Sequence, residues 1–335
     1  MPLIRSLFFA IALAVCGVAG AQPAAPAPLK PLRVIAFDGG WNLPLWAGLR
    51  QGFFEREGLA LQLAFTPNSG ALVNGLLADR YDVALASIDN LVAYQEGQGD
   101  GPPPKDPDLF AFMGGDSGFL SLVAAPSVRG LADLKGKTIA VDSLGTGFAV
   151  VAREVLARQG IAESEVTFVR AGATGLRYRD LLAGKYDATL LRTPFEILAA
   201  ERGFKVIATA ESVGPYLGSS GFARRSWARQ NEAALIGFLR AYRASLDWLA
   251  DPANRPIAEA LLVANIRDVT PALAQRAAAL LLAERGGLIR DMAIDMKGLD
   301  TVLALRSKYG EPRKALGDPS KYVDAAYYEK AFGKR

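Results

Sequence analysis

The chain has 335 residues, of which 51% are hydrophobic and 21% are charged, and its formal net charge at pH 7 is +4. It contains no histidine and a single cysteine, Cys16. Downstream of that cysteine, disulfide bonds, metal sites built on thiolate or imidazole, cysteine nucleophiles and triads with a histidine base are all excluded.

The first residues have the features of a secretory signal peptide. Arg5 precedes a nearly unbroken apolar stretch at 7–18, and the small residues at 19–21 form a cleavage site. The apolar stretch is shorter than the roughly 20 residues that a membrane-spanning helix needs. The sequence therefore predicts cleavage after Ala21 and export to the periplasm. Lipid attachment at Cys16 is the less favoured alternative, because the valine before it fits poorly in a lipoprotein cleavage site.

Strand and helix patterns alternate after this segment. Runs of apolar and β-branched residues predict three strands, at 32–37, 59–65 and 81–87. Leucine and aromatic residues at helical spacing predict helices between them, one ending near Gly58 and one at 70–80. This order is typical of a parallel sheet with helices on its faces. A surface loop rich in glycine and proline follows at 97–108.

A second series of the same kind occupies the middle of the chain. It begins after two apolar runs, at 108–114 and 119–125. Four strands are predicted, at 138–143, 165–171, 186–192 and 204–210. Two helices are predicted between them, at 147–159 and 175–183. The middle of the chain is therefore expected to be α/β as well.

From Trp227 onward the apolar spacing becomes helical. Thr270-Pro271 combines an N-cap residue with proline at the first helical position, and Gly286-Gly287 is expected to end that helix. Asp318-Pro319 predicts the start of another helix in the same way. We expect this helical tail to cover the first α/β unit.

Two segments recur in the chain at nearly the same spacing. LLADRYDVALAS at 76–87 returns as LLAGKYDATLLR at 181–192, and Ile35–Asp38 (IAFD) matches Ile139–Asp142 (IAVD). One such match between short apolar segments would carry little weight. Two in register indicate that the chain builds the same α/β lobe twice.

These features together resemble a known family. Residues 43–59 (LPLWAGLRQGFFEREGL) resemble the opening helix of the substrate-binding proteins of nitrate, sulfonate, taurine and thiamine-pyrimidine ABC importers. Three further segments fit the same family, at 78–83, 131–147 and 181–188. The resemblance implies the α/β fold of type II periplasmic binding proteins. That fold has two similar lobes around a ligand cleft, joined by crossover strands, with the C-terminal helices packed on the first lobe.

The resemblance also implies a division of the chain into segments. Residues 22–31 would form a linker, 32–114 and 222–335 would form lobe 1, and 115–221 would form lobe 2. The two crossovers are expected in the 108–125 region and roughly at 205–224. The lobes are expected to close on one solute.

Ligands of open α/β sheets bind beyond the carboxyl ends of the strands. After the first strand this rule selects Gly40, Trp41 and Asn42, where glycine lets the backbone approach a ligand and tryptophan offers a flat apolar wall. Ordinary packing is an equal alternative for Trp41. After the third strand the rule selects Ser87, whose hydroxyl is suited either to bond a solute or to cap the next helix.

The strand at 138–143 leads into the start of a helix through Ser143, Gly145, Thr146, Gly147 and Phe148. The backbone N–H groups of a glycine-rich turn and the positive end of a helix favour an anionic group. In the family that the chain resembles, matching positions hold the acidic group of the ligand. A glycine-rich turn without a ligand is the alternative.

Arg192 and Thr193 follow the last strand of the repeat, and Arg192 takes the place that Ser87 has in the first copy. A guanidinium there suits a carboxylate or a sulfonate. An internal ion pair with Glu196 or another acid is the alternative. Arg177 and Arg179 are expected to be solvated charges on a helix.

The chain is therefore predicted to be the non-catalytic, solute-binding component of an ABC importer. It would act as a monomer without metal or cofactor, and deliver a small organic anion or heteroaromatic solute to an inner-membrane permease. Dispersed basic residues do not favour nucleic-acid binding. Two alternatives stay open on the same fold: an exported enzyme, disfavoured because reactive side chains are missing, and a sensor that presents its closed form to a membrane kinase.

Overall fold

The computed structural model describes residues 28–102, 105–145 and 147–334. The predicted signal peptide at 1–21 and Thr146 lie outside the described residues. Within those ranges, no helix combines the length and the apolar character needed to cross a membrane. The described chain forms two α/β lobes, each built on one five-stranded sheet.

The first sheet holds the first four strands together with the last one. These strands are β1 (Lys30–Ala36), β2 (Leu59–Phe65), β3 (Val83–Ser87), β4 (Leu109–Gly114) and β10 (Ser219–Arg224). The second sheet holds β5 (Leu120–Ala124), β6 (Thr138–Val141), β7 (Thr167–Arg170), β8 (Ala188–Arg192) and β9 (Lys205–Thr209).

The two sheets have the same topology. The strand orders are β2-β1-β3-β10-β4 and β7-β6-β8-β5-β9. In each sheet the first three strands are parallel, and the fourth runs antiparallel to both of its neighbours. Each of those fourth strands, β5 and β10, begins just after the chain has crossed from the other sheet. The repeat in the sequence is therefore a repeat in topology.

Helices cover both faces of the sheets. In the first part of the chain they are α1 (Leu43–Gln51), α2 (Phe53–Arg56), α3 (Ser69–Leu77) and α4 (Ile88–Gln95). In the second lobe they are α5 (Phe148–Arg158), α6 (Thr174–Leu182) and α7 (Phe195–Ala200). The tail contains α8 (Arg225–Gln230), α9 (Glu232–Ala250), α10 (Arg255–Asn265), α11 (Pro271–Leu281), α12 (Met296–Tyr309) and α13 (Ala326–Phe332).

Two predicted helix boundaries in the tail are wrong. The Thr270 hydroxyl caps α11 as expected, but the helix ends at Leu281, well before Gly286-Gly287. Asp318-Pro319 opens only a short 3₁₀ turn, in which the Asp318 carboxylate accepts a hydrogen bond from the N–H of Ser320. The chain cannot continue as a helix there, because Val323 leaves the turn in extended conformation and pairs with β4 at Ala111.

The C-terminal helices pack on the first lobe, as predicted. The longest of them, α9, lies against α1 and α2. Its Phe238 is fully buried, with its ring centroid 5.8 Å from that of Phe54 and 6.0 Å from that of Phe112. Three aromatic rings from three elements therefore anchor the tail to the lobe.

One tail helix also reaches the second lobe. Helix α12 lies between α4 of the first lobe and α5 of the second. On α5, the Glu154 carboxylate accepts hydrogen bonds from Lys308 Nζ at 2.7 Å and from the Tyr309 hydroxyl at 2.8 Å, both at the end of α12. Arg158 Nε donates to the other oxygen at 2.8 Å. The tail therefore ties the two lobes together.

Glu154→Gln is expected to destabilise the protein at neutral pH. Against the opposing effect of burial, hydrogen bonds from Lys308, Arg158 and Tyr309 together lower the pKa of Glu154 from 4.5 to about 2. A depressed carboxyl pKa adds stability that is fully present above the ordinary pKa and is lost as the pH falls. The wild type should therefore lose this advantage between pH 4.5 and about pH 2.

Urea unfolding midpoints at pH 7 and at acidic pH measure this effect. The matched control is Glu163→Gln, which removes an exposed partner of Arg153 in the same lobe and should matter little. Equal midpoints for the two variants at pH 7 would contradict the role given to Glu154.

Candidate functional site

A small cavity lies between the two lobes, at the carboxyl ends of their strands. Its enclosed volume is about 30 Å³, and a buried water needs roughly 10–15 Å³ by this measure. The first lobe contributes Phe37, Trp41, Ala86, Ser87 and Asn90, and the second contributes Asp142, Gly147, Phe148, Thr174, Arg177 and Arg192. A solute of more than a few atoms therefore requires the lobes to move apart.

Five of the residues selected from the sequence line this cavity: Trp41, Ser87, Gly147, Phe148 and Arg192. They lie at or just after the carboxyl ends of four strands, β1 and β3 in the first lobe and β6 and β8 in the second. The structure brings them together because these strand ends meet at the cleft between the lobes. Their contact with a ligand stays a prediction.

The other selected residues support the turns around the cavity. The Asn42 amide donates to the carbonyl oxygens of Phe37 and Gly39, and the Thr193 hydroxyl donates to the Glu196 carboxylate. Thr193 also accepts, at its carbonyl oxygen, a hydrogen bond from the N–H of Gly40, 3.1 Å away on the opposite lobe.

The glycine-rich turn is also braced internally. The Ser143 hydroxyl accepts a hydrogen bond from the N–H of Gly145. Thr146 lies outside the described residues. These residues therefore shape the loops that carry the lining side chains.

The ring of Trp41 is packed closely by the chain itself. It lies against Gly39, where an added Cβ would be 2.1 Å from the ring, so only glycine allows this contact. The Arg192 guanidinium lies over the ring, with its carbon 4.2 Å from the ring centroid. Among the described residues, the indole Nε1 has no hydrogen-bond partner.

Arg192 is held by an internal ion pair, the alternative left open by the sequence. Its Nη2 lies 2.5 Å from a carboxylate oxygen of Asp116, and both side chains are buried. Its Nη1 donates to the Ser219 hydroxyl at 3.0 Å. The second Asp116 oxygen accepts from the N–H groups of Gly118 and Ser219. Asp116, Gly118 and Ser219 lie at the two crossovers, so this pair also joins the hinge.

Arg177 was expected to be solvated, and this prediction is wrong. Only 1% of the residue is exposed, and its guanidinium lines the cavity. It donates to the carbonyl oxygens of Gly172 and Leu190 and to the hydroxyls of Thr174 and Thr189. Burial lowers its pKa, and the nearby Asp142 carboxylate opposes that shift. Arg179, by contrast, is exposed as expected.

The sequence did contain a signal for this burial. Thr174, Tyr178 and Leu181 mark the buried face of α6, and Arg177 falls on the same face by helical spacing. A charged residue on an apolar face is usually paired or functional. The prediction that Arg177 is solvated rested on its charge alone and did not consider the helix face on which it lies.

The predicted anion site at the start of α5 is occupied by a carboxylate of the chain itself. The N–H of Gly147 donates to Asp89, which lies on α4 of the opposite lobe. Burial raises the pKa of Asp89, although Arg306 of α12 opposes this from 3.6 Å. The sequence carried no local signal for this contact, because the three residues are far apart in the chain.

Two more carboxylates cap helices across the cleft, and they are equivalent in the repeat. Asp142 of the second lobe accepts a hydrogen bond from the N–H of Ser69, at the start of α3, at 3.2 Å. Asp38 of the first lobe faces the N–H of Gly175, at the start of α6. Burial raises the pKa of both carboxyls. Each lobe therefore caps a helix of the other.

The described residues contain no group of three or more histidine, cysteine or acidic side chains arranged to hold a metal ion. The described acids of the cleft are instead engaged by N–H groups and guanidinium groups. The cavity wall in this part of the chain consists of aromatic rings and buried polar atoms.

Comparison with known proteins agrees with this architecture. The model of the NMT1-like family matches residues 39–263, well over half of the chain. A search of curated proteins found no match.

Solved structures share the fold. A protein from Bordetella bronchiseptica RB50 superposes with a TM-score of 0.76 and 21% identity, over 90% of this chain and 96% of that one. The alkanesulfonate-binding protein SsuA from Xanthomonas axonopodis pv. citri, bound to MOPS, has a TM-score of 0.71 and 17% identity, over 89% and 99%.

The periplasmic nitrate-binding protein NrtA from Synechocystis PCC 6803 has a TM-score of 0.74 and 12% identity, over 90% of this chain and 88% of that one. At these identities the similarity establishes the fold, which is that of periplasmic binding proteins.

Asp38→Ala and Asp142→Ala are each expected to loosen the closed arrangement of the lobes. Each removes an acceptor at a helix N-terminus, a change that typically costs about 0.5–2 kcal/mol. Small-angle scattering of the ligand-free protein should show a larger radius of gyration. Asn variants, which keep a side-chain oxygen, should behave more like the wild type.

The control is Asp133→Ala, which removes a partly exposed carboxylate that accepts from the N–H of Arg129 within its own lobe. A radius of gyration that is the same for this control and for both cleft variants would show that the caps do not hold the lobes together.

Proposed function

The chain belongs to the NMT1-like family, and from that premise we propose that it is the solute-binding component of an ABC importer. It captures a small solute in the periplasm between its two lobes and delivers it to a permease in the inner membrane. The resemblance noted in the sequence, the two-lobe fold and the similarity to binding proteins support this proposal.

The observation that carries the proposal is a set of buried polar atoms at the cavity. Five atoms have no hydrogen-bond partner among the described residues: Trp41 Nε1, Ser87 Oγ, Asn90 Oδ1, Asp142 Oδ1 and Arg192 Nε. Buried polar atoms are nearly always hydrogen-bonded in native proteins. These five belong to side chains that line one cavity, from both lobes. A solute bound there would supply the missing partners.

The same geometry couples binding to closure. Since the lining side chains come from both lobes, a solute completes its hydrogen bonds only when the lobes meet. The contacts between the lobes, Gly40 with Thr193 and Ala173 with Pro67 among them, then form around it. A permease could distinguish the loaded protein by this closed shape.

The cavity is poorly suited to catalysis. Its hydroxyl groups belong to Ser87 and Thr174, and a hydroxyl nucleophile needs an adjacent base. Thr174 accepts a hydrogen bond from the Arg177 cation. Ser87 is next to the hydroxyl of Tyr216, whose pKa is raised by burial, so Tyr216 would hold its proton. Capture without turnover is therefore the function that we propose.

Two ligand classes are consistent with the family. The relatives named above bind an alkanesulfonate and nitrate, as their names state. For this chain, the sequence left a small organic anion and a flat heteroaromatic solute open. The aromatic side chains of Phe37 and Phe148 in the cavity wall fit the second class. The charges around the cavity provide a further criterion for choosing between an anionic solute and a flat heteroaromatic one.

Export is tested directly by the mature N-terminus. Protein expressed with its own N-terminal segment in a Gram-negative host should appear in the periplasmic fraction, with an intact mass that begins at Gln22. Mass spectrometry of that fraction measures both. A full-length chain retained in the cytoplasm would contradict the periplasmic role, and a lipid adduct on Cys16 would replace cleavage after Ala21.

Solute binding is tested by a thermal-shift screen of protein that has been refolded to remove any carried-over solute. The probes are nitrate, methanesulfonate, benzoate and nicotinamide. A solute at a hundred times its dissociation constant should add about 2.7 kcal/mol to the unfolding free energy. Asn90→Leu should abolish the shift because it removes an unpaired acceptor of the cavity, while the surface control Asp133→Ala should keep it. A shift that persists in Asn90→Leu would place binding elsewhere.

A further inference from the structure

The positive charges around the cavity are matched by carboxylates of the chain itself. Arg192 pairs with Asp116, and Arg306 lies 3.6 Å from Asp89. Arg177 donates its hydrogen bonds to neutral oxygens. The negative charge of Asp142, which also lines the cavity, interacts with its positive charge. Each of these three guanidinium groups therefore has a buried carboxylate of the chain near it. The wall of the cavity carries little net charge.

The two positions best suited to hold an anion are already filled. At the start of α5, the N–H of Gly147 donates to the Asp89 carboxylate. At the end of β8, the two terminal nitrogens of Arg192 donate to Asp116 and Ser219. In both places an internal carboxylate occupies the site that an external anion would take. An anionic solute would have to displace one of them.

Five buried atoms of the cavity lack a hydrogen-bond partner among the described residues, and they differ in character. Trp41 Nε1 and Arg192 Nε are donors, Asn90 Oδ1 and Asp142 Oδ1 are acceptors, and the Ser87 hydroxyl can do either. Nitrate and sulfonate groups offer only acceptor oxygens. They would leave both acceptors unpaired and would approach the Asp142 carboxylate, and each of these effects is unfavourable in a buried site.

We propose that Asp89 and Asp116 are built-in counter-anions that exclude anionic solutes, and that the cavity takes an uncharged solute that both donates and accepts hydrogen bonds. A flat ring bearing an amide has this character, with N–H groups for Asn90 and Asp142 and a carbonyl oxygen for Trp41 or Arg192. The proposal rests on the solute-binding function proposed above and names the chemical class of its ligand.

The test removes each counter-anion by an isosteric substitution. Asp116→Asn keeps an oxygen for the N–H groups of Gly118 and Ser219 but leaves the charge of Arg192 unmatched. Asp89→Asn likewise keeps an oxygen for the N–H of Gly147 and leaves the charge of Arg306 unmatched. It serves as the second variant if Asp116→Asn fails to fold. Asp133→Asn, on the surface of the second lobe, is the control. The probes are nitrate, methanesulfonate and nicotinamide at constant ionic strength.

Unfolding temperature and isothermal titration provide the measurements. Wild type should show no saturable response to nitrate or methanesulfonate. Asp116→Asn should unfold at a lower temperature and recover with either anion, which should bind at least about tenfold more tightly than to wild type. Asp89→Asn should gain anion binding in the same direction, and Asp133→Asn should gain none.

The outcomes separate this inference from the proposed function. Saturable binding of nitrate or methanesulfonate to wild type would overturn the inference and leave solute capture standing. Folded Asp116→Asn and Asp89→Asn that gain no anion affinity would also overturn it. Nicotinamide binding to wild type, together with anion binding only in the variants, would support both. Anion binding gained by the variants, with no neutral solute bound by wild type, would support the counter-anions and overturn the assigned ligand class.

Discussion

The closed arrangement depends on carboxylates that cap helices across the cleft. The first N–H groups of an α-helix have no partner within the helix, and the helix start carries partial positive charge. Where such a helix start is buried in a cleft, an acceptor from the protein can satisfy those groups. Asp142 supplies one to α3, Asp89 one to α5 and Asp38 one to α6, each from the opposite lobe. The lobes are thus mutually dependent at the place where a solute would bind.

This constraint determines the chemistry of the cavity. A carboxylate that leaves water must be compensated by hydrogen bonds or opposite charge, because its desolvation is costly. Asp116 and Asp89 are compensated by arginines, whose charges are then already matched before an anionic solute arrives. Interactions that hold the lobes together and interactions that would bind a solute therefore compete for the same groups. The atoms left over for a solute are Trp41 Nε1, Ser87 Oγ, Asn90 Oδ1, Asp142 Oδ1 and Arg192 Nε.

The sequence was sufficient for the fold and for part of the cavity. Buried strands such as β3 and β8 are mainly apolar, so the repeat of YDVALAS in YDATLLR could be found by comparing the chain with itself. The rule that ligands bind beyond strand ends then selected Trp41, Ser87 and Arg192, because it depends only on topology. No local pattern, however, pairs Arg192 with Asp116 or Gly147 with Asp89. The Gly147–Asp89 contact forms only after both lobes have folded and met, and the Arg192–Asp116 pair forms only where a crossover packs against the end of β8.

The tail helix α12 adds an asymmetry to the closed form. Arg306 donates to the side-chain and backbone oxygens of Gln98 and lies beside Asp89, all on the first lobe, but it donates to the second lobe only at the carbonyl oxygen of Gly145. Two residues further along the same helix, Lys308 and Tyr309 bind Glu154 of the second lobe. Helix α12 therefore holds the first lobe mainly through Arg306 and the second mainly through Lys308 and Tyr309. An opening of the cleft that separates α4 from α5 must break one of these two sets of contacts.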